Sequence, residues 1–209
     1  MSCGSRDRIE GEIGMTSWLI VATALALVAG SERGENGMQD MQQMQELSQP
    51  GAEHEALATL AGEWTVEASP LMAVAGGAGE ARGSAVARMR VDGRFLEIEM
   101  AIEGGLIGKT MFVIGYDRRH DHYTVSYMDD TGTYGVHAVG VREGDAVVMY
   151  GADDPVMTSM GFTKEFVIAL HFAAEPDSAP SEAAIEIRFI DTRTDARPEM
   201  PFYRFDLTR

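Results

Sequence analysis

The chain has 209 residues, 45 % of them hydrophobic and 24 % charged, the balance of a folded protein rather than a disordered one. Its formal net charge is -16, from 17 basic and 33 acidic residues, and so acidic a surface repels phosphate backbones and argues against nucleic-acid partners. A single cysteine excludes an intrachain disulfide scaffold, and no nucleophile, cofactor or zinc motif of the specific kind is present.

Residues 1–30 contain the apolar run SWLIVATALALVAG (17–30). About 20 residues are needed to span a bilayer, so this run is short for a membrane helix and fits the apolar part of a secretory signal, with Ala29, Gly30 and Ser31 as the cleavage zone. The basic flank such signals carry is missing upstream, which a start at Met15 would explain. The expectation is export to the periplasm or beyond, with the segment either cleaved or kept as an N-terminal anchor, the chain's one route to a membrane. Residues 31–49 lack aromatics and are rich in Gln, Glu and Met, so they read as a flexible linker. Met38, Met41 and Met44 recur every third residue; thioethers suit Cu(I), but without a nearby His or Cys they read as filler.

Of the 16 aromatic residues, 15 lie at or after Trp64, which places the packed domain at 50–209. It opens with one short helix, Glu53 to Ala61, carrying Leu57 and Leu60 on one face. The period then changes to two. RFLEIEMAIE (94–103) sets Leu96, Ile98, Met100 and Ile102 against Glu97, Glu99 and Glu103, the pattern of a strand with one buried face. Further candidate strands are 63–69, 80–90, 109–117, 122–129, 134–141, 145–152, 162–172, 183–193 and 202–209, joined by Gly-, Asp- or Pro-bearing turns. No helix long enough for a parallel crossover separates them. About ten consecutive antiparallel strands predict an up-and-down β-barrel, which leaves no open sheet edge; a two-sheet sandwich is the alternative.

Candidate chemistry is sparse. His120-Asp121-His122 offers two imidazoles and a carboxylate, yet it sits at a hairpin tip with no third ligand in view. His137 and His171 lie in mid-strand and would matter as haem ligands only if they faced inward. Glu165 and Arg188 interrupt apolar strands and suggest an ion pair on the solvent face or a carboxylate clamp inside the barrel. Asp117, Asp129 and Asp130 stand at strand ends, where aspartate usually shapes turns. Alternation puts Tyr123, Tyr127 and Asp129 on one face, so they are taken with Leu96, Ile98, Met100 and Phe112 as the lining of a cavity. No catalytic residue, metal or cofactor is assigned. The expected role is non-covalent binding of a small apolar or amphipathic molecule by a monomer. An Asp/Tyr/His enzyme at the barrel mouth and a filled structural barrel are the alternatives.

LAGEW (60–64), GRFLE (93–97), GYD (115–117), YTVSYMDDTGT (123–133), DDPVM (153–157) and the final LTR (207–209) together resemble the bacterial domain-of-unknown-function 1579 family. The resemblance implies a calycin or lipocalin-like barrel and no particular reaction. Tyr127 and Thr131 stand where the family often has Trp and Met, which implies a more polar lining. Gly62-Glu63-Trp64 is also similar to the G-x-W opening of lipocalins, which implies that Trp64 plugs one end of the barrel under Arg209 or Arg204.

Overall fold

In the computed structural model, the described residues are 34–71, 79–133, 135–153, 164–173, 179–192 and 195–209. The N-terminal apolar run, Cys3 and most of the 153–157 motif lie outside them. Two helices come first: α1, Gly34–Leu47, and α2, Ala52–Ala58. Helix α1 occupies the stretch expected to be a flexible linker. The correction has a simple cause, because Met, Gln and Glu all propagate a helix well. Met38, Met41 and Met44 stand exposed on it, and none of the described helices is long and apolar enough to cross a membrane.

Ten strands follow: β1 Gly62–Pro70, β2 Ala81–Arg90, β3 Phe95–Glu103, β4 Lys109–Asp117, β5 His122–Asp129, β6 Gly135–Glu143, β7 Ala146–Asp153, β8 Lys164–Phe172, β9 Glu182–Ile190 and β10 Glu199–Thr208. Each pairs antiparallel with the next, and β1 pairs with β10, so the sheet closes into an up-and-down barrel. The sandwich alternative is thereby excluded. Some turns are tight enough to dictate their residues. Glu143 pairs with Ala146 across a two-residue connection, and Gly144 takes φ +65°, a left-handed value that costs glycine little.

One face of every strand fills the barrel. Leu96 lies opposite Ile114, Ile98 opposite Phe112, and Phe112 opposite Tyr127. Leu96, Phe112, Ile114, Tyr203 and Phe205 are all at most 1 % exposed. Each such side chain contributes roughly 1.5–3 kcal/mol through removal from water. Apart from Met89 at its end, strand β2 sends only small residues inward. Ala85 and Ala87 face Met100 and Ile98 on one side, and Ala85 faces Trp64 on the other, so bulk on one strand meets vacancy on its neighbour. The middle of the tube is therefore packed rather than hollow.

The outer face carries the charge, except on β7 and β8, where Ala146, Val148, Val167 and Ala169 form a second buried apolar cluster. Arg82 pairs with Glu67 at 3.0 Å and Arg90 with Glu97 at 2.5 Å. Glu165 and Arg188 both lie on this face but do not meet. Glu165 binds Arg197, while Arg188 binds Glu199 at 2.5 Å. The register explains it, since Arg188 stands opposite Val167 and Glu165 opposite Ile190. His137 and His171 also belong to the outer face. His137 meets Ser126 Oγ at 2.9 Å, and His171 lies 3.9 Å from Glu186, so neither offers an inward ligand for haem.

Candidate functional site

The two ends of the barrel are built differently. The end where β1 begins is closed. Helix α2 lays Leu57 into the core there and the turn after it lays in Leu60, and both are buried. The Trp64 indole donates to the Leu60 carbonyl at 2.9 Å, and the Arg209 guanidinium lies 4.1 Å from the indole centroid. The same guanidinium donates to the carbonyls of Thr59 and Ala61, each at 3.0 Å. Arg204 pairs instead with Asp206 at 2.8 Å, so of the two arginines suggested for the lid Arg209 is the one over the ring. His54 seals the edge of this end. Its Nδ1 accepts the Gly51 backbone N–H at 3.1 Å, and burial lowers its pKa below the ordinary value.

At the opposite end a cavity of about 110 Å³ remains. Its polar side is Tyr127, Asp129 and Thr131. The Tyr127 hydroxyl donates to one oxygen of Asp129, and the other oxygen accepts the Thr131 backbone N–H at 2.8 Å and the Thr131 hydroxyl at 2.5 Å. The carboxylate is thus held in place by its own turn, as an aspartate at a strand end usually is. The apolar side comes from Val136 on β6, Phe166 and Ile168 on β8, Ile187 and Phe189 on β9 and Phe202 on β10. The Phe189 and Phe202 rings lie 4.5 Å apart, and the Tyr127 ring lies 4.8 Å from that of Phe112, which belongs to the packed interior.

Gly151 makes this arrangement possible. It stands opposite Phe166, and a Cβ there would lie 2.4 Å from the Phe166 ring and 2.4 Å from the His137 carbonyl oxygen. The ring can cross β7 only because that strand has no side chain at this point.

Of the residues expected to line a cavity, Tyr127 and Asp129 border this one. Leu96, Ile98, Met100 and Phe112 are buried in the packed interior, and Tyr123 faces the closed end, beside α2. Thr131, one of the two departures from the family pattern, also borders the cavity with Tyr127. The aromatic side was missed. Alternation groups Phe166 with Ile168 and Ile187 with Phe189 on one face of each strand, but gives neither which face is inward nor at which height on the barrel they lie.

The remaining candidates are structural. Asp117 accepts the Arg119 guanidinium and the His120 ring at 2.8–3.0 Å, and those two contacts hold its carboxyl well below the usual carboxylate range. His120 stacks on His122 with centroids 5.6 Å apart, and no metal-holding cluster of His, Cys, Asp and Glu occurs among the described residues. Asp130 accepts the Gly108 and Lys109 backbone N–H groups at 3.1 and 3.0 Å and ties down the β3–β4 connection.

Comparison with curated proteins finds no match. A family model does match, over residues 49–179, from just before α2 to the segment that precedes β9. That span includes Trp64, Tyr127, Asp129 and Phe166, while Ile187, Phe189, Phe202 and Arg209 lie beyond it. With the family motifs, the closed ten-strand barrel and this match in agreement, the chain belongs to the family described as Protein of unknown function (DUF1579).

Proposed function

We propose that the protein binds a small amphipathic molecule, non-covalently, in the cavity at the open end of the barrel. The observation that carries this reading is the two-sided lining, aromatic on β8–β10 and hydrogen-bonding on β5. Size narrows the ligand. A cavity of roughly 150 Å³ is enough for benzene, so about 110 Å³ suits one small ring or a short branched chain with its polar end at the rim. A fatty acid does not fit, because the interior around Phe112 is filled.

Phenol is a suitable probe, with a ring for the phenylalanine side and a hydroxyl for Asp129. Calorimetric titration is expected to give a dissociation constant of about 1 mM, within the affinity seven heavy atoms can supply. Val136→Trp fills the cavity from a half-buried position and should abolish the binding without lowering the melting temperature. Binding that survives this substitution, or no binding by the parent protein, refutes the reading.

The apolar run at 17–30 supports a second proposal, that the protein acts after export. Mass spectrometry of the mature N-terminus in the producing organism tests it. A form beginning near Ser31, or a membrane-bound form keeping the run, is the expected result. An intact chain in the cytosol contradicts export.

A further inference from the structure

Outside the Trp64 seal, on the closed end, lies a second concavity of about 320 Å³ between α2 and the rims of β4–β6. It carries more chemistry than the seal requires. Glu53 comes from α2, Tyr116 and Asp121 from the β4–β5 hairpin, Tyr123 from β5 and Arg142 from β6. The Tyr116 and Tyr123 rings meet edge to face at 4.8 Å, and the Tyr116 hydroxyl donates to Asp121. Burial pushes both phenols up, reinforced at Tyr116 by the Asp121 hydrogen bond and at Tyr123 only partly offset by Arg142, so both stay protonated.

Arg142 is the unusual member. Its guanidinium lies 4.4 Å from the centroid of the Phe172 ring and is hydrogen-bonded to the Tyr123 hydroxyl, while its Nη2 is buried with no hydrogen-bond partner among the described residues. Leaving a buried charged donor unsatisfied costs more than a hydrogen bond normally contributes. An oxygen acceptor entering the groove would remove that cost, and a planar carboxylate matches a guanidinium best. A plain anion would meet Glu53 and Asp121, however, and a plain cation would meet Arg142.

We propose that this groove is a second binding site, for a small zwitterion of the α-amino-acid kind. Its carboxylate rests on Arg142, and its ammonium lies beside Glu53 against the tyrosine faces. The groove's volume falls within the roughly 300–1,000 Å³ of ordinary small-molecule sites, so a side chain of moderate size is accommodated.

The test is calorimetric titration of the full chain with L-phenylalanine, 3-phenylpropionate and phenethylamine. L-Phenylalanine is expected to bind, and each single-charge analogue at least about ten-fold more weakly. Arg142→Met, which still covers Phe172, and Glu53→Gln should each weaken L-phenylalanine about ten-fold or more. Val136→Trp at the other end should leave it unchanged, which separates this site from the first. Because Glu53 lies on the surface of α2, its variant remains informative if Arg142→Met folds poorly. No heat with L-phenylalanine at millimolar concentration, equal binding of the three probes, or unaltered binding in Glu53→Gln overturns the proposal.

Discussion

The closed and open ends of the barrel solve opposite problems with similar materials. At the closed end one indole, one guanidinium and the turn that ends a short helix satisfy one another: Trp64 N–H and Arg209 Nη2 donate to the carbonyls of Leu60 and of Thr59 and Ala61. At the open end four aromatic rings are present, yet among the described residues they stand around a space instead of filling it. The difference shows that bulk alone does not close a barrel. Closure needs a side chain whose polar atom finds its partner on the axis, and the phenylalanines of β8–β10 have none to offer.

That contrast can be broken from either side. Trp64→Ala removes the seal and should have the largest effect, a loss of about 3–5 kcal/mol measured by chemical denaturation. Gly151→Ala acts at the open end. Its new methyl meets the Phe166 ring and the His137 carbonyl, and overpacking of this kind costs about 1–3 kcal/mol. Phenol binding should fall with it, because the displaced ring is a wall of the cavity. Arg209→Met keeps a long side chain near the indole but loses its charge and donors. A smaller destabilisation of about 1 kcal/mol is expected, with phenol binding intact.

The smallest effect concerns pH. Burial lowers the His54 pKa in the folded state below its unfolded value of 6.5, so the unfolded chain binds the proton more readily. The contribution of neutral His54 is therefore complete above pH 6.5 and is lost as pH falls through the lowered folded value. His54→Gln should flatten the slope of denaturation free energy over that range. An unchanged slope would remove His54 from the account of the seal.

What could be read in the residues divides along the same line. Strand positions were legible where a strand buries one face, as in β3, where Leu96, Ile98, Met100 and Ile102 alternate with glutamates. The seal was legible because Trp64 and its partner carbonyls lie within five residues, and because the G-x-W and terminal arginine fit a known pattern. The open end was not. Tyr127, Phe166, Ile187 and Phe202 are brought together by register and by closure of β1 on β10, and neither leaves a local trace. Helix α1 was missed for another reason. Polar helix formers such as Gln and Glu suit a solvated linker and a solvated helix equally well, and without an apolar face the two look alike.

The central claim is that one end of a filled barrel keeps a ligand-sized space. Isoleucine methyl resonances report on it directly, because Ile168 and Ile187 border the cavity while Ile98 and Ile114 lie in the packed interior. Titration with phenol should shift the first pair in a saturable way and leave the second pair fixed. Shifts centred on Ile98 and Ile114, or none at any isoleucine, would contradict the account.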